Sequence, residues 1–254
     1  MYTFGAWARG EKKLFLGNLS FGFDYYGDWV DSYRKDYSAD GTLQKVRIQG
    51  PIADDSRYDL LGIYVQDRIS LIERKLDAIV GARYTFASVR AGSFEDPSSG
   101  KERSLTDQWQ QAVGAARLLW WVVEKGRYLA SFGASQGFRT PNLSDLTRFD
   151  TARSNEIETP SPGLDPEHYL SFEGSLKVQY SNWWVKTTYF YYLIEDLIVR
   201  TPTGAVIEGD AEVTKKNAGN GFVHGVELEG AWNFLENFTL SGNFTWLEGE
   251  VEAY

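Results

Sequence analysis

The run YLSFEGSLKVQY at residues 169–180, the dipeptide SN at 181–182 and the return run WWVKTTYFYYLIEDLIVR at 183–200 decide how the chain is read. In the first run Leu170, Phe172, Gly174, Leu176, Val178 and Tyr180 fall on one side. Tyr169, Ser171, Glu173, Ser175, Lys177 and Gln179 fall on the other. Such alternation is the period of an extended strand with one dry and one wet face. Ser181-Asn182 makes a tight turn, after which Trp183, Val185, Thr187, Tyr189, Tyr191 and Leu193 alternate with Trp184, Lys186, Thr188, Phe190 and Tyr192. Both runs outlast the roughly 5–6 residues of an ordinary soluble strand. They reach the roughly 9–11 residues that cross a bilayer when tilted. Aromatics gather at the turn (Tyr180, Trp183, Trp184) and in the far half (Tyr189 to Tyr192), where interfacial girdles belong. The hairpin reads as two staves of a transmembrane barrel.

The same period recurs along the chain. Tyr2, Phe4, Ala6 and Ala8 against Thr3, Gly5, Trp7 and Arg9 predict a first strand, ended by a turn at Gly10-Glu11-Lys12-Lys13. Phe15, Gly17, Leu19, Phe21, Phe23 and Tyr25 against Leu16, Asn18, Ser20, Gly22 and Asp24 predict a second. A third spans residues 58–71, with Leu61, Ile63, Val65, Ile69 and Leu71 on one side and Asp67 the lone polar residue among them. Glu73-Arg74-Lys75 turns into a fourth, marked by Leu76, Ala78, Val80, Ala82, Tyr84 and Phe86. A fifth, at residues 109–123, alternates weakly, and Trp120-Trp121-Val122-Val123 leaves its facing open. Glu124-Lys125-Gly126 turns into a sixth, beginning Tyr128, Ala130, Phe132 and Ala134. The opening hairpin supplies the seventh and eighth. The ninth carries Phe222, His224, Val226, Leu228, Gly230 and Trp232 on one face, and Gly225, Glu227, Glu229 and Asn233 on the other. Glu236-Asn237 turns into a tenth, with Phe238, Leu240, Gly242, Phe244 and Trp246 on one face.

Between these strands, residues 28–55, 90–107, 139–168 and 195–221 are polar and read as long loops, the last with a hairpin of its own at Thr203-Gly204. Short turns and long loops alternate without a break. That is the habit of an up-and-down outer-membrane barrel, and a soluble sandwich gives no reason for it.

Composition agrees with this fold. Mean hydropathy is −0.38, and no apolar run approaches the ~20 residues of a transmembrane helix. A barrel escapes that test because every second residue is free to be polar. Aromatic residues are 15% of the chain, enough to furnish two girdles. A net charge of −9 argues against a nucleic-acid partner. Cysteine is absent, which excludes disulfides and thiolate metal sites. No Gly-x-Ser-x-Gly, His-Glu-x-x-His or phosphate-binding glycine loop occurs, so the chain does not read as an enzyme, and no cofactor is expected. His168 and His224, the two histidines, lack the convergent spacing of a metal site. Loop carboxylates such as Asp54-Asp55 and Glu208/Asp210 offer oxygen ligands of the kind calcium takes, but read as solvated charge.

Residues 1–10 lack the basic start and apolar core of a signal peptide. With the short turns facing the periplasm, both chain ends fall on the outer side, whereas an exported barrel begins and ends inside. The sequence is therefore expected to be part of a longer wall, since lipid does not tolerate two unpaired sheet edges. Closure of ten strands into a small barrel is the alternative.

Four motifs add a resemblance. Gly137-Phe138-Arg139-Thr140-Pro141-Asn142-Leu143-Ser144-Asp145-Leu146 resembles the Gly-Phe-Arg-Ala-Pro stretch that ends a mid-to-late strand in TonB-dependent outer-membrane receptors. Gly163-Leu164-Asp165-Pro166-Glu167 resembles their Asn-Pro-x-Leu-x-Pro-Glu entry to the next strand, without its Asn-Pro start. Asn217-Ala218-Gly219 with Gly225-Val226-Glu227-Leu228-Glu229 resembles their Asn-x-Gly…Gly-x-Glu strand, and Gly62-Ile63-Tyr64-Val65-Gln66-Asp67 their Tyr-x-Gln-Asp strand. The matches fall in family order. The resemblance implies a 22-stranded barrel of which this chain holds about ten strands, with the plug domain and final strands outside it. It implies uptake of a scarce nutrient, such as a ferric siderophore, haem or cobalamin, sometimes a glycan. The proton gradient would drive it through TonB, ExbB and ExbD.

On that reading Arg139, Glu167 and Glu227 are candidates to face the lumen and hold the plug or a ligand, with rim charge and ordinary wet lining as the bland alternatives. Trp29, Tyr33, Arg34, Tyr37, Arg148, Phe149 and Arg153 lie in the loops and suit an aromatic, anionic ferric chelate or plain loop packing. Outer-membrane lipid and lipopolysaccharide would surround the wall. Two other functions compete: a passive outer-membrane channel without energy coupling, and a soluble secreted β-protein that binds or cleaves glycans.

Overall fold

The computed structural model describes residues 1–15, 17–123, 126–235 and 237–253. Of the expected turn and strand residues, Leu16, Glu124, Lys125 and Glu236 lie outside the described residues. In chain order the elements are β1 (Tyr2–Lys13), β2 (Gly17–Val30), β3 (Arg34–Tyr37), β4 (Leu43–Arg47), β5 (Ser56–Ile72), β6 (Leu76–Glu95), β7 (Glu102–Trp121) and β8 (Tyr128–Arg139). Then come α1 (Leu143–Thr147), β9 (Asp150–Arg153), β10 (Glu156–Glu158), β11 (Glu167–Gln179), β12 (Trp183–Ile207), β13 (Asp210–Leu235) and β14 (Phe238–Ala253).

Ten long strands form one antiparallel meander in the order β1-β2-β5-β6-β7-β8-β11-β12-β13-β14. Its two outer strands are β1, which pairs with β2, and β14, which pairs with β13. Residues directly opposite in an antiparallel pair share a face, so the register fixes which side each points to. One such row runs Gly17–Ile69–Ala78–Leu118–Phe132–Gly174–Tyr189–Val226–Trp246 across nine strands. Its face also carries Phe21, Phe23, Ile63, Val65, Val80, Leu176, Leu228 and Phe244, all exposed. A large apolar side chain gains about 1.5–3 kcal/mol on leaving water. A surface with so many is untenable in water and at ease in hydrocarbon, which removes the soluble reading. The opposite face is polar and internally paired: Arg83 forks onto Asp24 at 2.7 Å, Lys186 meets Glu229 at 2.8 Å, and Arg117 pairs with Glu173. Ser131 bonds Ser175 at 2.7 Å and Ser135 bonds Ser171 at 2.6 Å. The fold is that of a transmembrane β-barrel wall.

Aromatics crowd the turn end, where Tyr180 stacks on Trp183 at 4.7 Å, Arg127 sits over Tyr180 at 4.8 Å, and Trp232 meets Phe234 at 5.4 Å. Higher on the outward face Tyr191, Phe222, His224 and Trp246 cluster at 5.6–6.0 Å. Gly225 is a packing requirement. A Cβ there would lie 2.3 Å from the Trp246 carbonyl oxygen and 2.7 Å from the Phe190 ring.

Several boundaries differ from expectation. Gly10 to Lys13 is not a turn but the end of β1, paired with residues 18–21. Residues 90–107 are not a loop: β6 and β7 stay paired as far as Glu95 and Glu102, leaving only 96–101 as the connection. The cause is a switch of parity. Below Phe86 the apolar residues of β6 point outward, whereas Ala87, Val89 and Ala91 point inward and are buried. Residues 195–221 are largely strand too. β12 and β13 run on as a projecting hairpin that turns at Glu208-Gly209, not at Thr203-Gly204. Glu208 (φ 52) and Gly209 (φ 96) both adopt the left-handed conformation that a two-residue hairpin loop with the strands' own twist demands. Gly204 marks a shift of register instead. Residues 28–55 contain the β3–β4 hairpin, and 139–168 contain α1, β9 and β10. The asymmetry between the two ends is thus one of projecting strands and inserted hairpins more than of loop length. The facing of β7 is settled by register: Ala116, Leu118 and Trp120 point outward, Arg117, Leu119 and Trp121 inward.

The apolar core sits at the loop end on the inner side. Val30, Ala87, Val89, Ala91, Phe94 and Trp109 of the wall meet Ala53, Leu143, Leu146 and Leu164 of the inserted segments.

Candidate functional site

The inserted segments are held to the wall by a network of ions built around a five-residue helix. Asn142 caps α1 with its side chain on the Asp145 N–H at 2.9 Å, and Asp145 returns by accepting the Asn142 N–H at 3.1 Å. This reciprocal box satisfies two donors that a helix start leaves bare. It also turns Asp145 toward the end of β8. There Arg139 Nη1 donates to Asp145 at 2.6 Å, while its Nε and Nη2 fork onto both oxygens of Glu167 at 2.7 and 2.6 Å. Glu167 further accepts the Ile198 N–H at 2.9 Å and the Tyr169 hydroxyl. Lys215 Nζ reaches Asp145 at 2.9 Å and Glu158 at 3.1 Å, and Arg200 donates to Glu158 at 2.7 Å. The Lys215–Glu158 contact is an ion pair without hydrogen-bond geometry, because Glu158 Oε1 has no hydrogen-bond partner.

Burial makes this network costly to break. Glu158 and Glu167 are 1% and 2% exposed, and carboxylates are almost never so enclosed unless paired. For Asp145, burial works to raise the pKa. The hydrogen bonds from Arg139, Lys215 and the Asn142 N–H outweigh it and hold the carboxyl below its ordinary range.

The resembling motifs converge here, each with a physical task. Arg139 and Glu167 pair side by side across β8 and β11. Thr140 meets the Tyr58 hydroxyl at 2.5 Å. Leu164 enters the core, next to Gly163 in the left-handed region at φ 86. Asn217 donates to the carbonyls of Asp165 and Asp196 at 2.8 Å each and accepts the Asp165 N–H at 2.8 Å, tying the entry of β11 to the β12–β13 hairpin.

Farther out, Arg47 links the β3–β4 hairpin to the tip of β12–β13, bonding Asp36 at 2.7 Å and Glu208 at 3.0 and 3.2 Å. Arg47 holds the carboxyls of both Asp36 and Glu208 below the usual carboxylate range, with Arg34 adding to the effect at Asp36.

Of the residues singled out in the sequence, Arg139 and Glu167 come together, and they engage each other. Glu227 stands apart on the polar inner face of β13, exposed and without an ion pair among the described residues. Trp29 is on the outward face with Arg57 stacked over it at 5.0 Å, away from the mouth. Arg34 is engaged by Asp36 at 2.8 Å, and Arg148 lies 3.8–3.9 Å from Glu158 and Asp150. Tyr33, Tyr37 and Arg153 are exposed, and Phe149 is half-buried. Asp145, Glu158, Arg200 and Lys215 were not singled out. Asn142-x-x-Asp145 carries a capping signal that could have found Asp145. Arg200 meets Glu158 across 42 residues of chain and Lys215 meets Asp145 across 70, so these residues have no local signal.

The meander, its lipid-compatible outer face, its polar inner face and its capped loop end define the wall of a membrane receptor or channel of the β-barrel class. The chain belongs to the TonB-dependent receptor-like β-barrel family, whose model matches residues 2–253. No curated protein sequence matches it. Among solved structures it is similar to the copper transporter OprC, with a TM-score of 0.76 and 15% identity over 98% of this chain and 38% of that one. It is also similar to the hemophore receptor HasR of Serratia marcescens, solved with its hemophore and heme (TM-score 0.74, 14% identity, 97% of this chain and 41% of that one). A third is the siderophore receptor PiuA of Acinetobacter baumannii (TM-score 0.72, 15% identity, 98% and 38%). The chain thus spans about two-fifths of the length of these structures.

Proposed function

We propose that the chain is the loop-bearing part of a receptor for TonB-energised uptake of a scarce nutrient across the outer membrane. The cargo class we assign is a ferric siderophore or a related iron or cobalamin complex. On this reading the turn end faces the periplasm, the projecting hairpins face the medium, and lipid with lipopolysaccharide surrounds the outward face. The observation that supports it most is the inserted cap: segments 143–165 and the β12–β13 hairpin are locked together by buried ion pairs on the inner side, and segment 49–56 is tied to them by the hydrogen bonds of Gln49 and Ala53 to Thr147. A wall that merely enclosed a pore would need no such built structure at its mouth. The neighbouring structures, named for copper, iron, heme and siderophore cargo, support the same class.

The roles follow from the partners. Arg139 and Glu167 act as the anchor of the mouth, because their hydrogen bonds are spent on each other and on Asp145. Glu227, exposed on the inner face and without an ion pair among the described residues, is the better candidate to meet a plug. The test is growth of a deletion strain on ferric siderophores, haem or cobalamin as sole source, with and without a working TonB, ExbB and ExbD. Uptake that is lost in both the receptor and the TonB mutant supports the reading. Uptake that persists without TonB would make the protein a passive channel.

A further inference from the structure

Asp67 is a charge on a face that is otherwise apolar. Alternation puts it among the greasy residues of β5, and the register makes that side the outward one: Asp67 stands opposite Leu19 of β2 and Val80 of β6. Val65 and Ile69 flank it along its own strand on the same face. Across residues 17–23 of β2, 61–69 of β5 and 78–86 of β6, it is the one charged side chain on that face. Asp67 makes no hydrogen bond or ion pair among the described residues, and its Oδ1 is enclosed without a partner. An unpaired charge beside hydrocarbon is costly, and enclosed polar atoms are rarely left unsatisfied.

The wall makes room for this side chain. Gly17 lies beside it at the start of β2, and a Cβ there would come within 2.5 Å of Asp67 Oδ1 and 2.7 Å of the Arg68 carbonyl oxygen. Asp67 pairs with the third residue of β2, so it stands about 7 Å from the turn end of that strand, close to the depth of lipid head groups. The opposite charge is in the same row. Lys12 faces Leu19 from β1, is exposed, and has no ion pair among the described residues. Two strand spacings, about 10 Å, separate the backbones of Lys12 and Asp67, with Leu19 between them. Beside Lys12 and Lys13 the turn exposes Leu14 and Phe15, the latter completely. Basic and apolar side chains together suit the layer where head groups meet acyl chains.

Cation, apolar side chain and anion in one row are the complement of a zwitterion. This face meets lipid, so the zwitterion is a phospholipid. Its phosphate suits Lys12, its ammonium suits Asp67, and the two carbons between them span Leu19. The ammonium has to carry hydrogens, because Asp67 lacks a donor and a quaternary nitrogen has none to give. A head group that is only anionic would set like charge against Asp67. Exposed Phe21, Phe23, Ile63 and Val65 rise from the row toward the middle of the wall, where acyl chains belong. We infer that Lys12, Gly17 and Asp67 form a site on the outward wall for one phospholipid with an ethanolamine head group. The ammonium sits on Asp67 and the phosphate on Lys12. The site needs the outward assignment of this face and not the transport reading.

The test uses the protein expressed from its complete gene, held in a nonionic detergent and titrated with palmitoyl-oleoyl phosphatidylethanolamine, phosphatidylcholine or phosphatidylglycerol. Bound lipid is counted by native mass spectrometry. One ethanolamine lipid is expected to bind about tenfold more tightly than the choline lipid, and the glycerol lipid no better than choline. Asp67→Asn is expected to abolish the preference, and Lys12→Gln to weaken the ethanolamine lipid about tenfold. A series on the wild type needs no variant to fold: each methyl added to the ethanolamine nitrogen removes a donor, so affinity is expected to fall at each step. Equal binding of ethanolamine and choline lipids, a preference that survives in Asp67→Asn, or tighter binding of the glycerol lipid would overturn the inference. Binding of the glycerol lipid that depends on added magnesium would overturn it too, by making Asp67 a metal ligand. Lipid counting reports on this site and the TonB-dependent growth assay on transport, so each can fail without the other.

Discussion

Arg139 shows how one side chain comes to support a whole mouth. Its planar fork satisfies both oxygens of a Glu167 that is 2% exposed, and its remaining nitrogen holds Asp145. Removing one partner of a buried pair strands the other charge, at a cost of about 3 kcal/mol or more. Arg139→Ala is therefore expected to speed hydrogen exchange of the α1 and β10 amides about a hundredfold. Arg139→Lys should recover little of the protection, since an ammonium cannot fork. Exchange unchanged in Arg139→Ala would show that the network does not hold the cap. Asp145 sets the pH response. Its folded pKa lies below the ordinary value of 3.8, so the folded state binds fewer protons than the unfolded chain. Its stabilising contribution is then complete above about pH 4 and is lost as the pH falls through the lower folded value. Exchange of residues 143–147 should rise on acidification below about pH 4, and Asp145→Asn should flatten that dependence. A rise confined to neutral pH would contradict it.

At the scale of elements, the loop end is assembled from pieces that are too short to stand alone. The three-residue β10 survives because it pairs in parallel with residues 211–213 on the edge that β14 leaves free. The five-residue α1 survives because its box and Leu143 and Leu146 are buried together. Asn217 is the clasp between such pieces, replacing two backbone partners by one side chain. A hydrogen bond of this kind contributes about 0.5–1.5 kcal/mol. Asn217→Ala should therefore loosen residues 164–167 and 195–197 together by about 2 kcal/mol, read as new protease cleavage at both segments while the wall stays resistant. Cleavage at only one of the two would show that Asn217 does not couple them. The periodicity of β6 is instructive here. Its inward Ala87, Val89 and Ala91 break the rule that inner residues are polar, since a second layer covers them; a reading by alternation alone sees the pattern stop and ends the strand too soon.

At the scale of the molecule, the wall divides lipid from lumen, and substitutions should report that division. Ile63→Arg on the outward face is expected to cost about 2–4 kcal/mol in reversible folding into lipid vesicles. The same change at Ser135, on the inner face, should cost less than about 1 kcal/mol. Equal costs at the two positions would mean that the faces are wrongly assigned. The same division explains the charge. The mid-wall and turn end are nearly neutral, whereas the loop end carries the negative balance.

By itself the sequence determined the wall. A side-chain period of two is imposed by the extended backbone, so alternation over ten strands reveals the faces, the short turns and the barrel class before any coordinates. It also flagged Arg139 and Glu167, because their motifs recur in a recognisable order. Only the tertiary structure decided which partners those residues take, and where β6, β7, β12 and β13 end. Those facts depend on contacts between segments tens of residues apart, and on a second layer that covers part of the inner face. Local periodicity holds no information about either.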